Sequence, residues 1–109
     1  MLDRQRTTTS SGNVFADLGY YAADERQTKT RLAIELKGII KSRKLKQVEA
    51  GELLGIPQPK VSALANYRLD GFSVERLVTY LTALNQDVEI IIRPRRDREV
   101  GRVVVSALR

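Results

Sequence analysis

The sequence predicts a mostly α-helical domain that ends in a β-strand or hairpin. Three observations carry this. Apolar residues recur at helical spacing from about residue 22 to residue 84. The period then shortens to two over Asp87–Pro94. Two of the three prolines, Pro57 and Pro59, fall with Gly55 inside the helical region, dividing it into short pieces. A chain of 109 residues is long enough to bury one core.

Residues 1–13, with "TTTSSG" at their centre, are polar and read as a disordered tail. "VFADLGY" (Val14–Tyr20) is a short apolar island expected to dock on the domain. Residues 22–43 form the first helix. Asp24 and Glu25 suit the positive end of its dipole, and Lys41, Arg43 and Lys44 the negative end. Leu32, Leu36, Ile39 and Ile40 make its core face. A second, short helix over 47–54 ends at Gly55, and a third spans 58–66.

"DGFSVERLVTYLTALN" holds the fourth helix. Ser73 is a good N-cap, and Phe72 and Leu77 occupy the two positions of a hydrophobic staple. Val74, Leu77, Val78, Leu81 and Leu84 supply the apolar face, and Asn85 can close the helix in a left-handed conformation. Beyond it, Val88, Ile90 and Ile92 alternate with Glu89, Ile91 and Arg93 until Pro94 ends the strand. Residues 95–109 are a basic tail in which 100–107 can supply a second strand. The strand 87–93 can pair with that segment or across a two-fold axis, and Val88, Ile90, Ile91 and Ile92 are candidate dimerisation residues.

Composition narrows the function. Cysteine and histidine are absent, which removes disulfides, thiolate nucleophiles, imidazole bases and zinc fingers. No acid–base or nucleophile constellation can be assembled, so an enzyme is not expected, nor any metal or cofactor. No apolar run approaches a membrane span, and the N-terminus lacks the apolar stretch of a signal peptide, so a cytoplasmic location is expected. The net charge is +6, and residues 37–68 carry seven basic side chains against two acidic ones. A basic excess concentrated in one segment suits an anionic partner such as nucleic acid. The few aromatic residues are scattered, which speaks against RNA.

The segment "KQVEAGELLGIPQPKVSALAN" (Lys46–Asn66) coincides with that excess. Two short helices crossing steeply need a small residue at the crossing, a glycine in the turn and an apolar residue on the second helix facing the first. Gly51, Gly55 and Val61 meet these needs, with Leu54, Ile56 and Leu64 completing the buried side. Proline loses little in the first turn of a helix, because the first N–H groups have no intrahelical partner there. The third helix is therefore expected to start between 57 and 59. Its outer face holds Gln58, Pro59, Ser62, Lys60 and Ala63, placed as a recognition helix places its base-reading residues in the major groove of double-stranded DNA. Gln58 can pair bidentately with adenine. Lys46, Gln47, Asn66, Tyr67 and Arg68 are suited to phosphates.

"VFADLG", "LLGIPQPKVSALAN" and "DGFSVERLVTYLTALNQDVEIIIRP" together resemble the Xre-type helix-turn-helix proteins of the HigA-like antitoxin group, over about residues 14–94. The resemblance implies a compact, lambda-repressor-like helical domain that dimerises, binds a palindromic operator and represses transcription. It also implies a RelE-like ribonuclease toxin as a possible partner. An antitoxin whose main task is to mask that toxin, with DNA binding secondary, and an Xre-type regulator with no toxin partner are the alternatives. Two positions depart from the family pattern: Pro57 stands where Ser or Thr is common, and Lys46 where Thr is.

Overall fold

The computed structural model describes residues 21–108. The polar tail 1–13 and the island Val14–Tyr20 lie outside the described residues. Among those described, four helices follow one another: α1 (Tyr21–Ser42), α2 (Gln47–Leu54), α3 (Gln58–Ala65) and α4 (Val74–Ala83). Each lies within a residue or two of its expected bounds.

One face of α1 carries Leu32, Ala33 and Leu36, all buried, with Ile39 and Ile40 packed at the margin. This face meets α3 and α4, while α2 packs on α3 and α4. Leu54, Leu64, Leu69, Phe72, Leu77, Tyr80, Leu81 and Leu84 complete the core. Leu36, Leu77 and Leu84 are fully buried, each worth about 1.5–3 kcal/mol relative to exposure. The start of α4 is built as its sequence suggests. Ser73 Oγ accepts the Arg76 N–H at 3.0 Å. Phe72 and Leu77 are both buried, and the Phe72 ring meets the Tyr80 ring edge-on, 6.1 Å between centroids. Burial pushes the Tyr80 hydroxyl above its ordinary pKa, against a smaller downward pull from Arg76. The Arg43 guanidinium, just past α1, donates to the Leu84 carbonyl and ties the ends of α1 and α4 together.

Each of the four helices stops at a left-handed residue: Lys44 (φ 56°), Gly55 (φ 73°), Tyr67 (φ 59°) and Asn85 (φ 67°). At three of them the paired Schellman bonds are formed. Leu45 and Lys44 N–H groups donate to Ile40 and Lys41 carbonyls, Arg68 and Tyr67 to Ala63 and Leu64, Gln86 and Asn85 to Leu81 and Thr82. These bonds satisfy carbonyls that a helix end otherwise leaves open. Asn85 was the expected case; Lys44 and Tyr67 hold the same conformation without glycine or asparagine.

The C-terminal segment differs from expectation. No strand forms among the described residues, and 86–108 runs without regular secondary structure. The hairpin between 87–93 and 100–107 is not made among these residues. Residues 95–100 are held in a local turn: Arg95 grips Asp97 with Nε–Oδ1 at 2.7 Å and Nη2–Oδ2 at 2.9 Å, and Asp97 Oδ1 also accepts the Glu99 N–H at 3.0 Å. Farther on, Val105 packs against the core, and residues 105–107 face Arg31, Ile34 and Glu35 of α1 across a shallow cleft. The would-be second strand is thus drawn onto α1.

Candidate nucleic-acid interface

The α2–α3 unit begins with Lys46 at the N-cap of α2. An ammonium group has no acceptor, so its side chain gives no cap bond. Glu49 supplies the other half of the arrangement, its carboxylate accepting the Lys46 N–H at 2.7 Å. Midway along α2 sits Gly51, buried under the turn. A methyl group there would lie 2.6 Å from the Ile56 carbonyl oxygen and 3.5 Å from Val61 Cγ2. Gly51 also accepts, at its carbonyl, the N–H groups of Gly55 (2.8 Å) and Ile56 (3.0 Å). The turn is therefore closed by backbone, and the missing Cβ is what lets it close.

Pro57 is the N-cap of α3, extended at φ −70° and ψ 157°, and no side chain caps the helix. The two prolines take over that role by subtraction. A helix start leaves four N–H groups unpartnered. Pro57 and Pro59 have none to leave, and the Lys60 N–H turns back to the Pro57 carbonyl at 2.9 Å. Only the Gln58 N–H remains, at an exposed position. Gln58 is the first residue of α3 and fully helical, although the residue before a proline is biased away from that conformation.

Gln58, Pro59 and Lys60 are exposed, and Ser62 is half-buried. Gln58 Nε2 donates to Oε1 of Gln47, the first residue of α2, at 3.4 Å. A residue expected to read bases and one expected to touch phosphate thus meet at the mouth of the unit. Two of the expected readers sit differently. Ala63 packs its methyl against the core, because it neighbours buried Leu64 and α3 turns it toward the domain. Lys60 leans toward Phe72, its ammonium 5.3 Å from the ring centroid. The exposed start of α3 is thus Gln58, Pro59 and Lys60, with Ser62 half-buried beyond them.

At the far end of α3, exposed Asn66 donates from Nδ2 to the Ser62 carbonyl at 2.9 Å. Tyr67 and Arg68 are exposed. Lys37 of α1 places its ammonium 5.0 Å from the centroid of the Tyr67 ring. Sequence reasoning did not bring Lys37 here. It lies thirty positions upstream, and only the packing of α1 against α3 reveals the contact. Four of the seven basic side chains of residues 37–68 come from three elements beside α3: Lys37 on α1, Lys46 at α2, and Lys60 and Arg68 at and beyond α3, while Arg43 reaches the Leu84 carbonyl instead.

The family model described as a helix-turn-helix domain matches residues 14–93. Among solved structures, one named as an XRE-family transcriptional regulator is 57% identical, with a TM-score of 0.76, and the match covers 80% of this chain and 99% of that one. Among curated proteins none matches the sequence. The chain belongs to the helix-turn-helix domain family, in its XRE type. Among the described residues no helix is long and apolar enough to cross a membrane.

Proposed function

We propose that this protein is a sequence-specific DNA-binding transcriptional repressor that acts in the cytoplasm as a homodimer on a palindromic operator. The observation that carries the reading is the exposed start of α3, where Gln58 stands clear of the core beside Gln47, on a helix with Lys60 in its first turn and Lys37 and Arg68 at its far end. The Gln58 amide reads adenine, the Pro59 ring meets a thymine methyl, and Ser62 donates or accepts beside them. Lys46, Gln47, Asn66, Tyr67 and Arg68 fix the register through phosphates, which carry no sequence information themselves. One short helix makes few base contacts, so two copies related by a two-fold axis read half-sites about 34 Å apart. In the finer reading it is the antitoxin of a type II module, represses its own operon and binds a RelE-like toxin; the residues shared with the HigA-like group support this.

Binding to a specific duplex as a function of salt tests the mechanism. With three or four phosphates neutralised per protomer, log K should fall against log salt with a slope of about −5 to −7. Gln58→Ala should weaken specific binding by about 1–3 kcal/mol and relax preference at one base step. Equal loss on specific and random duplexes would remove Gln58 as a base reader. Neutralisation of a co-expressed RelE-like ribonuclease encoded next to this gene tests the antitoxin reading.

A further inference from the structure

The segment Val88–Pro94 leaves a row of large apolar side chains in solvent. Ile90 is 81% exposed, Ile91 77% and Ile92 92%, in a stretch with no ladder partner among the described residues. An exposed segment of alternating apolar residues with no ladder of its own is a template for strand pairing. The segment that could fold back on it is placed elsewhere: Val105 packs against the core, and residues 105–107 face Arg31, Ile34 and Glu35 of α1. From the pattern of its own side chains we infer that this segment pairs antiparallel with the same segment of a second copy, in one register, with Ile91 on the two-fold axis. The inference rests on the homodimer reading above and specifies its contact.

The register follows from matching each residue to the one it would face. With Ile91 opposite Ile91, Ile90 faces Ile92, Glu89 faces Arg93, and Val88 faces Pro94. Every apolar residue then meets an apolar one, and each acid meets a base. Directly opposed pairs of this kind stabilise a sheet, whereas like charges opposed destabilise it. The neighbouring registers that keep the same faces fail this match. Centred on Ile90, the strand sets Glu89 against Ile91; centred on Glu89, it sets two carboxylates against each other; centred on Ile92, it sets Ile91 against Arg93. The favoured register puts Val88, Ile90, Ile92 and Pro94 on one face, wholly apolar, and flanks the Ile91 pair with two Glu89–Arg93 pairs on the other. Pro94, lacking a donor, is tolerated at the strand end.

The absence of cysteine from the chain makes a direct test available. Ile90→Cys, Ile91→Cys and Ile92→Cys are prepared separately in the full-length protein and oxidised. Directly opposed residues in an antiparallel pair have Cα atoms about 4.5–5.5 Å apart, within reach of a disulfide, whereas diagonal neighbours lie about 7–8 Å apart. Ile91→Cys should form covalent dimers at least tenfold faster than either neighbour, and a mixture of Ile90→Cys with Ile92→Cys should give the mixed dimer. Charge reversal gives an independent readout. Glu89→Arg alone and Arg93→Glu alone should each lose the dimer in sedimentation, and the double variant should regain it. Fastest crosslinking at residue 90 or 92, equal crosslinking at all three, or failure of the double variant to restore the dimer would overturn the register. A monomeric protein would overturn the pairing itself. Duplex binding is scored separately: an Ile91-linked dimer with no affinity for DNA would refute the regulator reading and leave the pairing intact.

Discussion

The α2–α3 unit and the segment 86–108 make opposite use of their apolar residues. In the first, Leu54, Val61 and Leu64 are buried, and the turn between the helices closes on Gly51 by backbone hydrogen bonds. In the second, Ile90, Ile91, Ile92, Val103 and Val104 face outward, and the local order is one exposed turn held by Arg95 and Asp97. The first has its hydrogen bonds and its core partners inside one chain. The second has side chains suited to a sheet and no sheet to join. A segment can be as apolar as a core strand and still stay bare when no strand meets it among the described residues.

The contrast breaks most sharply at Gly51. Gly51→Ala forces a methyl against a backbone carbonyl that cannot move without opening the turn, and should destabilise the domain by about 3 kcal/mol, the upper end of overpacking costs. Urea unfolding measures this, and a loss below about 1 kcal/mol would mean that the turn yields freely. The helix starts sharpen the comparison at a smaller scale. Ser73→Ala removes a side-chain cap and should cost about 1 kcal/mol. Pro57→Ser installs a cap but restores an unpartnered N–H and loosens the unfolded chain, so its net effect should stay within about 0.5 kcal/mol. A gain as large as the Ser73→Ala loss would show that the prolines do not substitute for a cap. The smallest effect belongs to Asp97. Its hydrogen bond from Arg95 holds the carboxyl well below its ordinary value of 3.8, so the turn is fully supported above that value and gives way only as pH falls through the lower folded one. Chemical shifts of the Arg95 guanidinium should therefore stay flat from neutral pH down to about 4. Asp97→Asn should change those shifts at neutral pH without moving the thermal midpoint of the domain.

Most of the helical unit was legible because its signals are local. Helix bounds, the Ser73 cap with the Phe72–Leu77 staple, the left-handed Asn85 and the roles of Gly51, Gly55 and Val61 all depend on residues within a few positions of one another. The features missed depend on distance or on competition. The Lys37–Tyr67 contact needs α1 laid across the end of α3. Ala63 lies at the edge between outer and inner faces, where a residue's side is decided by neighbouring helices and not by spacing. Glu49 completes a capping box whose usual first residue is absent, so the pattern is hidden by Lys46. Alternation marked 87–93 as a strand, and no strand forms there among the described residues; whether it joins a sheet depends on another segment, and 105–107 lies by α1.

The four left-handed residues that stop the helices have a consequence for how such a domain can change. The connections 43–46 and 55–57 are short, and the carbonyls behind their left-handed residues are already bonded. Adding one residue within a helix turns everything after it by about 100°, enough to roll a buried face out of the core. These two connections hold no slack in which that rotation could be absorbed. The spacing from Lys46 to Ala65 therefore behaves as a fixed frame within which the exposed side chains of α3 can be replaced without moving the core.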